Sequence, residues 1–244
     1  MKFFVKTFKS LTAFEIVLWV GSVVAITVAF TAARNTDYLT LCASLVGATA
    51  LIFIAKGNVF GQFVMLAFAA LYGAVSYYFR YYGEMITYLG MTAPVTVIAI
   101  ITWLKHPSSD GNPAVKVNSL KLREYIFLAV LSAGVTTGFY FILKAFDTPN
   151  IIFGTVSVFT SFTASYLEMR RSEFYAVCFV ANDIVLIVLW SLATAENLNY
   201  ICMIICFAVF LINDVYGFIN WTKTKRRQKS AEAESNAPAR EEQN

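Results

Sequence analysis

Apolar runs of about span length, separated by short polar breaks, recur from one end of this chain to the other. A helix needs about 20 mostly apolar residues to cross the hydrocarbon layer of a bilayer. Stretches of that kind fall near 13–31, 38–55, 58–80, 84–104, 123–145, 149–167, 172–195 and 197–221. The pattern predicts an all-α membrane protein with eight transmembrane helices. Composition agrees, with 58% hydrophobic residues, 14% charged residues and a mean hydropathy of +0.63. Soluble domains carry roughly 25% charged residues. The first run is span-length and has no small-residue cleavage site after it, so it reads as a span and not as a signal peptide.

Charge fixes the expected orientation. With eight spans, one side receives the N-terminus, the 2–3, 4–5 and 6–7 loops and the C-terminus. That side holds sixteen basic residues: Lys2, Lys6, Lys9, Lys56, Lys105, Lys116, Lys121, Arg123, Arg170, Arg171, Lys223, Lys225, Arg226, Arg227, Lys229 and Arg240. The other side holds three, Arg34, Arg80 and Lys144. Basic residues flank spans on the cytoplasmic side, so both termini are expected in the cytoplasm. The net charge of +4 follows from this bias and does not point to nucleic acid. The tail from Thr222 to Asn244 is polar and rich in Ala, Glu and Arg, and is expected to be disordered.

Several chemistries lack their parts. Cys42, Cys178, Cys202 and Cys206 all lie in spans without metal-ligand spacing, and His106 is the only histidine, so no metal site and no cofactor are expected. There is no Ser/His/Asp set and no phosphate-cradling Walker loop.

The polar exceptions inside the spans carry more information. Asn182-Asp183 and Asn213-Asp214 each interrupt an apolar run, and of fifteen acidic residues only these two aspartates fall well inside such runs. An ionisable group at that depth is costly unless it faces a cavity or a partner. Cavity lining is one reading; a polar clamp between helices is the other. Glu15 sits at the edge of span 1, where capping or snorkelling is expected, and span 1 is read as peripheral.

A weak repeat is also visible. Span 4 ends Ile101-Thr-Trp-Leu-Lys105 and span 8 ends Ile219-Asn-Trp-Thr-Lys223, which sets Trp103 against Trp221 and Thr96 against Asp214. Spans 2–4 then match spans 6–8, with span 5 as connector. Equivalent helices run the same way, which makes the repeat parallel. Two tryptophans of an interfacial belt would give the same short match.

Four motifs in order now resemble a known family: Ala55-Lys56-Gly57-Asn58-Val-Phe-Gly61, Tyr82-Gly83-Glu84, Pro94 leading to Trp103, and Asn213-Asp214-Val-Tyr-Gly217-Phe-x-Asn-Trp221. They are similar to the signatures of the PnuC transporters of nicotinamide riboside, over roughly Tyr38 to Trp221. The resemblance implies a SWEET-like fold of three helices, a linker helix and three more. The expected division is 1–37 for the N-terminus and peripheral helix 1, 38–104 for the first repeat and 105–148 for the loop and linker helix. It continues with 149–221 for the second repeat and 222–244 for the tail. It also implies import by facilitated diffusion with alternating access, trapping by a cytoplasmic riboside kinase, and a homotrimer. Relatives that carry thiamine or riboflavin keep those vitamins open, as do other nucleosides and proton coupling. Val64, Tyr88, Thr96 and Ile100 depart from the commoner family pattern.

A riboside with a cationic ring needs aromatic faces, amides for its carboxamide and hydroxyls, and a carboxylate for its charge. Asn182, Asp183 and Trp190 on span 7 supply such groups, as do Asn213 and Asp214 on span 8. Gln62 and Tyr72 on span 3 and Tyr88, Thr92 and Thr96 on span 4 complete the candidate set. The seven-residue interval from Asp183 to Trp190 recurs from Asp214 to Trp221, and keeps each pair within about 20° on a helix. Pro94 removes a backbone donor at mid-span and is expected to kink its helix. An intramembrane hydrolase using the two aspartates is the alternative of another class. An assembly protein is the third.

Overall fold

The structure is a computed structural model that describes residues 7–34, 36–78, 82–108, 114–196 and 200–241, without the side chains of 196 and 235–241. Lys2, Lys6 and Arg80, used above for orientation, and residues 197–199 at the expected start of span 8 lie outside what is described, as does the side chain of Arg240. Eight apolar helices long enough to span a membrane occur among the described residues. They are α1 Ala13–Ala32, α2 Tyr38–Ala55, α3 Phe60–Tyr78, α4 Tyr82–Lys105, α5 Leu122–Ala145, α6 Ile151–Met169, α7 Tyr175–Glu196 and α8 Ile201–Glu241.

Local chemistry sets the ends. Thr12 and Glu15 cap α1 reciprocally, satisfying two amides that the first turn leaves free. The Asp37 carboxylate accepts from the amides of Leu39 and Thr40 at the start of α2. Helices α2 and α6 both stop on a residue in the left-handed region, Gly57 (φ 73°) and Arg171 (φ 59°). In each, the next amide reaches back to close the end: Asn58 N to Phe53 O and Ser172 N to Leu167 O, both 2.9 Å. This six-to-one bond ties off carbonyls that would otherwise be orphaned.

Helices α2, α3, α4, α6, α7 and α8 pack in a closed ring, with α2 against α8 and α4 against α6. Helix α1 lies outside the ring on α2 and α8, and α5 lies outside on α6. The α2–α3 hairpin is tight because Gly61 has no side chain. A Cβ there would stand 2.6 Å from Ile54 N and 2.9 Å from Ala50 O.

Pro94 does not simply kink α4. The residues before it, Thr87–Thr92, form a π-helical turn, and Ala93 N donates to Tyr88 O, five residues back. Widening the helix by one residue accommodates the proline's missing donor and the bulk of its ring.

Two further observations concern the end of the bundle that carries both termini. Glu15 does more than cap: Lys56 Nζ lies 2.7 Å from its carboxylate and the Tyr216 hydroxyl donates to it at 2.9 Å, joining α1, α2 and α8. The tail differs from expectation. Helix α8 continues unbroken to Glu241, so the stretch from Thr222 to Glu241 is helical and not disordered. An existing helix has no nucleation barrier to extend, and Ala, Glu, Lys, Arg and Gln are good helix formers. The extension is also held by contact. Gln228 accepts from Val117 N and donates to Val115 O and Ser108 Oγ, at 2.9–3.0 Å. The same loop segment bonds to α2 and α6 through Val115 N to Gly57 O and Asn118 N to Arg171 O.

Replacement of Gly61 by Ala is expected to destabilise the protein by about 1–3 kcal/mol, the usual penalty for overpacking against atoms that cannot move. Thermal unfolding in detergent would register it. Gly21, whose Cβ position meets nothing within 4 Å, should accept Ala without loss.

Candidate functional site

The helical ring encloses a narrow central cavity, with about 40 Å³ open to the centres of water-sized molecules. One wall is aromatic. Phe68 of α3, Tyr88 of α4 and Phe207 and Phe210 of α8 line it and touch one another edge to face or tilted, at centroid distances of 5.6–5.8 Å for Phe68–Tyr88, Phe68–Phe210 and Phe207–Phe210. The wall across from it is polar: Ser161, Ser165 and Glu168 of α6, with Asn182 and Asp183 of α7. Asp214 of α8 completes the lining together with Thr92 and Thr96 of α4.

Most expected residues therefore meet at one place. Asp183 and Asp214 come from different helices, yet their carboxyl groups lie close enough to interact, and Asp183 Oδ2 is buried with no hydrogen-bond partner among the described residues. Asn182 is fixed from α6, since Ser157 Oγ and Thr160 Oγ1 both donate to its Oδ1, at 3.1 and 2.9 Å. No acceptor for the Asn182 amide nitrogen is found among the described residues, and the residue lines the cavity.

Other expected residues stand behind the wall. Tyr72 packs on Tyr88 at 4.3 Å and approaches the Trp190 indole; Trp190 in turn packs against Tyr200. This pair supports the aromatic wall and does not line the cavity. Gln62 is fully buried and donates through Nε2 to Glu168 Oε1 at 2.9 Å. Asn213 turns the other way. It donates to Ser22 Oγ of α1 at 3.1 Å and to Val209 O, so it is a clamp holding the peripheral helix.

Trp103 and Trp221 are 1% and 2% exposed and therefore are not interfacial belt residues. Their rings face each other at 5.4 Å. Trp103 Nε1 donates to Glu168 O near the end of α6, and Trp221 Nε1 donates to Ile54 O near the end of α2. Glu168 and Ile54 each sit one residue before the last of their helix.

Sequence reasoning missed Glu168. It sits at the end of a span, where a charge normally reaches water, but a helical side chain leans toward the N-terminus of its helix, which carries this carboxyl back into the bundle. It is 4% exposed. The available signal was spacing: Ser161, Ser165 and Glu168 fall at i, i+4 and i+7, one stripe of α6. Among the described residues no three His, Cys, Asp or Glu side chains form a group that could hold a metal ion.

Comparison with known proteins agrees with this geometry. A family model described as "Nicotinamide mononucleotide transporter" matches residues 37–223. The nicotinamide riboside transporter PnuC of Neisseria mucosa is 29% identical over 196 residues, 78% of this chain and 74% of that one. The protein of the same name from Haemophilus influenzae is 25% identical over 192 residues, 78% and 82% of the two chains. A crystal structure of the vitamin B3 transporter PnuC superposes with a TM-score of 0.77 at 27% identity, covering 89% of this chain and 94% of that one. The chain belongs to the PnuC family of membrane transporters. A transporter family also answers the hydrolase alternative, because its members carry and do not cleave.

The split between Asn213 and its neighbour is open to measurement. Asn213→Ala should lower the unfolding temperature through loss of the α1 clamp, worth about 0.6–2 kcal/mol in a membrane, and leave ligand affinity within about twofold. Asn182→Ala should do the reverse, weakening binding with a smaller thermal shift. Calorimetric titration and thermal unfolding of both variants would check the pair.

Proposed function

We propose that this chain is a facilitator that carries nicotinamide riboside down its gradient across a bacterial inner membrane, in which it is a multi-pass protein. One observation carries the choice of substrate: the cavity presents aromatic rings and three carboxyl groups, and no Lys or Arg lines it among the described residues. A cationic pyridinium ring gains from aromatic faces by about 0.5–2 kcal/mol and from the carboxyls besides. A phosphate would meet acceptors only, so the family's mononucleotide description suits this cavity less well than the riboside named for its relatives. The site residues are Asp183, Asp214, Asn182, Thr92, Thr96 and Tyr88 at the cavity, with Tyr72, Trp190 and Gln62 supporting them.

The mechanism is alternating access by two three-helix units, 38–104 and 149–221, joined by a linker at 105–148, in the SWEET-like arrangement. Matched features support it: the left-handed ends at Gly57 and Arg171, and the crossed bonds from Trp103 and Trp221 to carbonyls at corresponding positions of the opposite unit. Small-molecule pockets usually measure about 300–1,000 Å³, far more than the cavity here. The small cavity is consistent with a closed state, and in this reading substrate enters when one unit tilts from the other. Both termini lie in the cytoplasm on the positive-inside argument. The crossed tryptophans then close the cytoplasmic end. A cytoplasmic riboside kinase would trap the product as an anion the cavity does not favour, and a homotrimer is the assembly to look for by mass in detergent.

Thiamine also carries a cationic ring and is the second reading, so it belongs in every assay as a competitor. In liposomes, labelled riboside should equilibrate to equal concentrations inside and out once its own charge is accounted for. Concentrative uptake of a neutral ligand driven by a proton gradient would assign the Asp183–Asp214 pair to coupling instead. Asp214→Asn should weaken the cationic riboside by roughly tenfold or more and its neutral reduced form much less; equal losses would mean packing. Cysteines placed near Arg34 and Lys144 should be labelled from outside and one near His106 should not, which tests the orientation.

A further inference from the structure

We propose that Glu168 determines specificity by reading the sugar hydroxyls of the ligand, with Ser161 and Ser165 beside it. This rests on the riboside reading and assigns one wall of the same cavity.

The two walls differ in what they can bind. Across the ring from α6, Phe68, Phe207 and Phe210 offer faces and edges of rings but no hydrogen-bonding groups. A flat heterocycle is at home there; hydroxyls are not. Helix α6 offers the opposite. Ser161, Ser165 and Glu168 line the cavity in a single stripe, each of them at least nine-tenths buried.

Within that stripe Glu168 is the best-placed acceptor. Gln62 Nε2 holds Oε1 at 2.9 Å, and Gln62 is itself 0% exposed, so the carboxyl is anchored from behind by a side chain with no freedom to move. Its backbone oxygen is occupied by Trp103. No protein donor to Oε2 is found among the described residues. That carboxyl lines the cavity, and a ligand that brings a donor gains a hydrogen bond to it. Neighbouring hydroxyls on a furanose ring present two such donors a short distance apart, and a carboxyl oxygen accepts more than one bond. Asp183 and Asp214 lie close enough to interact with each other. They sit beside Phe207 and Phe210 on the helix that carries Asp214, where a ring charge would lie.

The test compares two ligands that share the cationic ring and differ by one hydroxyl: nicotinamide riboside and its 2′-deoxy counterpart. Binding to the full-length protein is measured by calorimetric titration for the wild type, Glu168→Gln and Ser165→Ala. The wild type should prefer the riboside by about tenfold or more, the usual size of a hydrogen bond to a carboxylate. Glu168→Gln should bring that preference to within about threefold, weakening the riboside clearly more than the deoxy ligand. Ser165→Ala should give an intermediate preference, and it decides the matter if Glu168→Gln does not fold. A Glu168→Gln protein that keeps the full preference, or loses both ligands equally, overturns the assignment and leaves the transport reading standing. A wild type that binds neither ligand overturns the transport reading, and this inference with it.

Discussion

A carboxyl group inside a bilayer must be met by something polar, because hydrocarbon supplies no solvation and leaving the group bare costs several kcal/mol. In this chain Asp183 and Asp214 lie against each other inside the helical ring. They belong to neighbouring helices of the ring, so that contact fixes the rotation of both α7 and α8. Everything around the cavity follows from those two rotations. Turning Asp214 inward turns Asn213 about 100° away, toward α1, and that is where its amide finds Ser22. Turning Asp183 inward brings Asn182 against the hydroxyls of α6. The peripheral helix and the second wall are thus held by residues adjacent to the acids.

The cavity end near the chain termini shows a second economy of means. Glu168 offers its side chain to Gln62 and its backbone carbonyl to Trp103, so one residue ties α6 to both α3 and α4. On the other side, Trp221 and Asn220 donate to Ile54 and Ala55 at the end of α2. Backbone carbonyls at helix ends are the natural partners, as they lack intrahelical donors. An indole N–H is a donor only, and satisfies such a carbonyl without needing an acceptor for itself.

Much of this was legible in the sequence, and the reasons differ by element. Span length and charge bias are strong signals because bilayer thickness and the positive-inside rule act on every segment alike. The acids stood out because hydrocarbon tolerates so few. Direction was harder to read. Asn213-Asp214 reads as one polar pair, although adjacent positions on a helix cannot face the same way, and spacing alone does not say which of the two turns inward. Glu168 was hidden by its position in the last turn, where only the backward lean of its side chain makes it a cavity residue. The tail was misread because its polar composition suits disorder and helix equally, and only the fixed start provided by α8 and the Gln228 contacts selects the helix.

The matched ends of α2 and α6 bear on how such a protein could move. Gly57 adopts the left-handed conformation at no steric cost, whereas Arg171 adopts it at a cost of about 1–2 kcal/mol. A non-glycine residue is kept there only if the surrounding bonds insist on it, and here they do: Arg171 O accepts from Asn118, and the next amide closes the helix onto Leu167. The loop segment that bonds to Arg171 also bonds to Gly57 and to Gln228 on α8. It therefore spans the closed end from one set of helices to the other. Tilting the sets apart at that end would have to break these loop bonds together with the tryptophan pair, whereas tilting at the opposite end breaks none of them. The bonding is therefore asymmetric: the end of the bundle at Gly57 and Arg171 is held by loop and tryptophan bonds together rather than by any single residue.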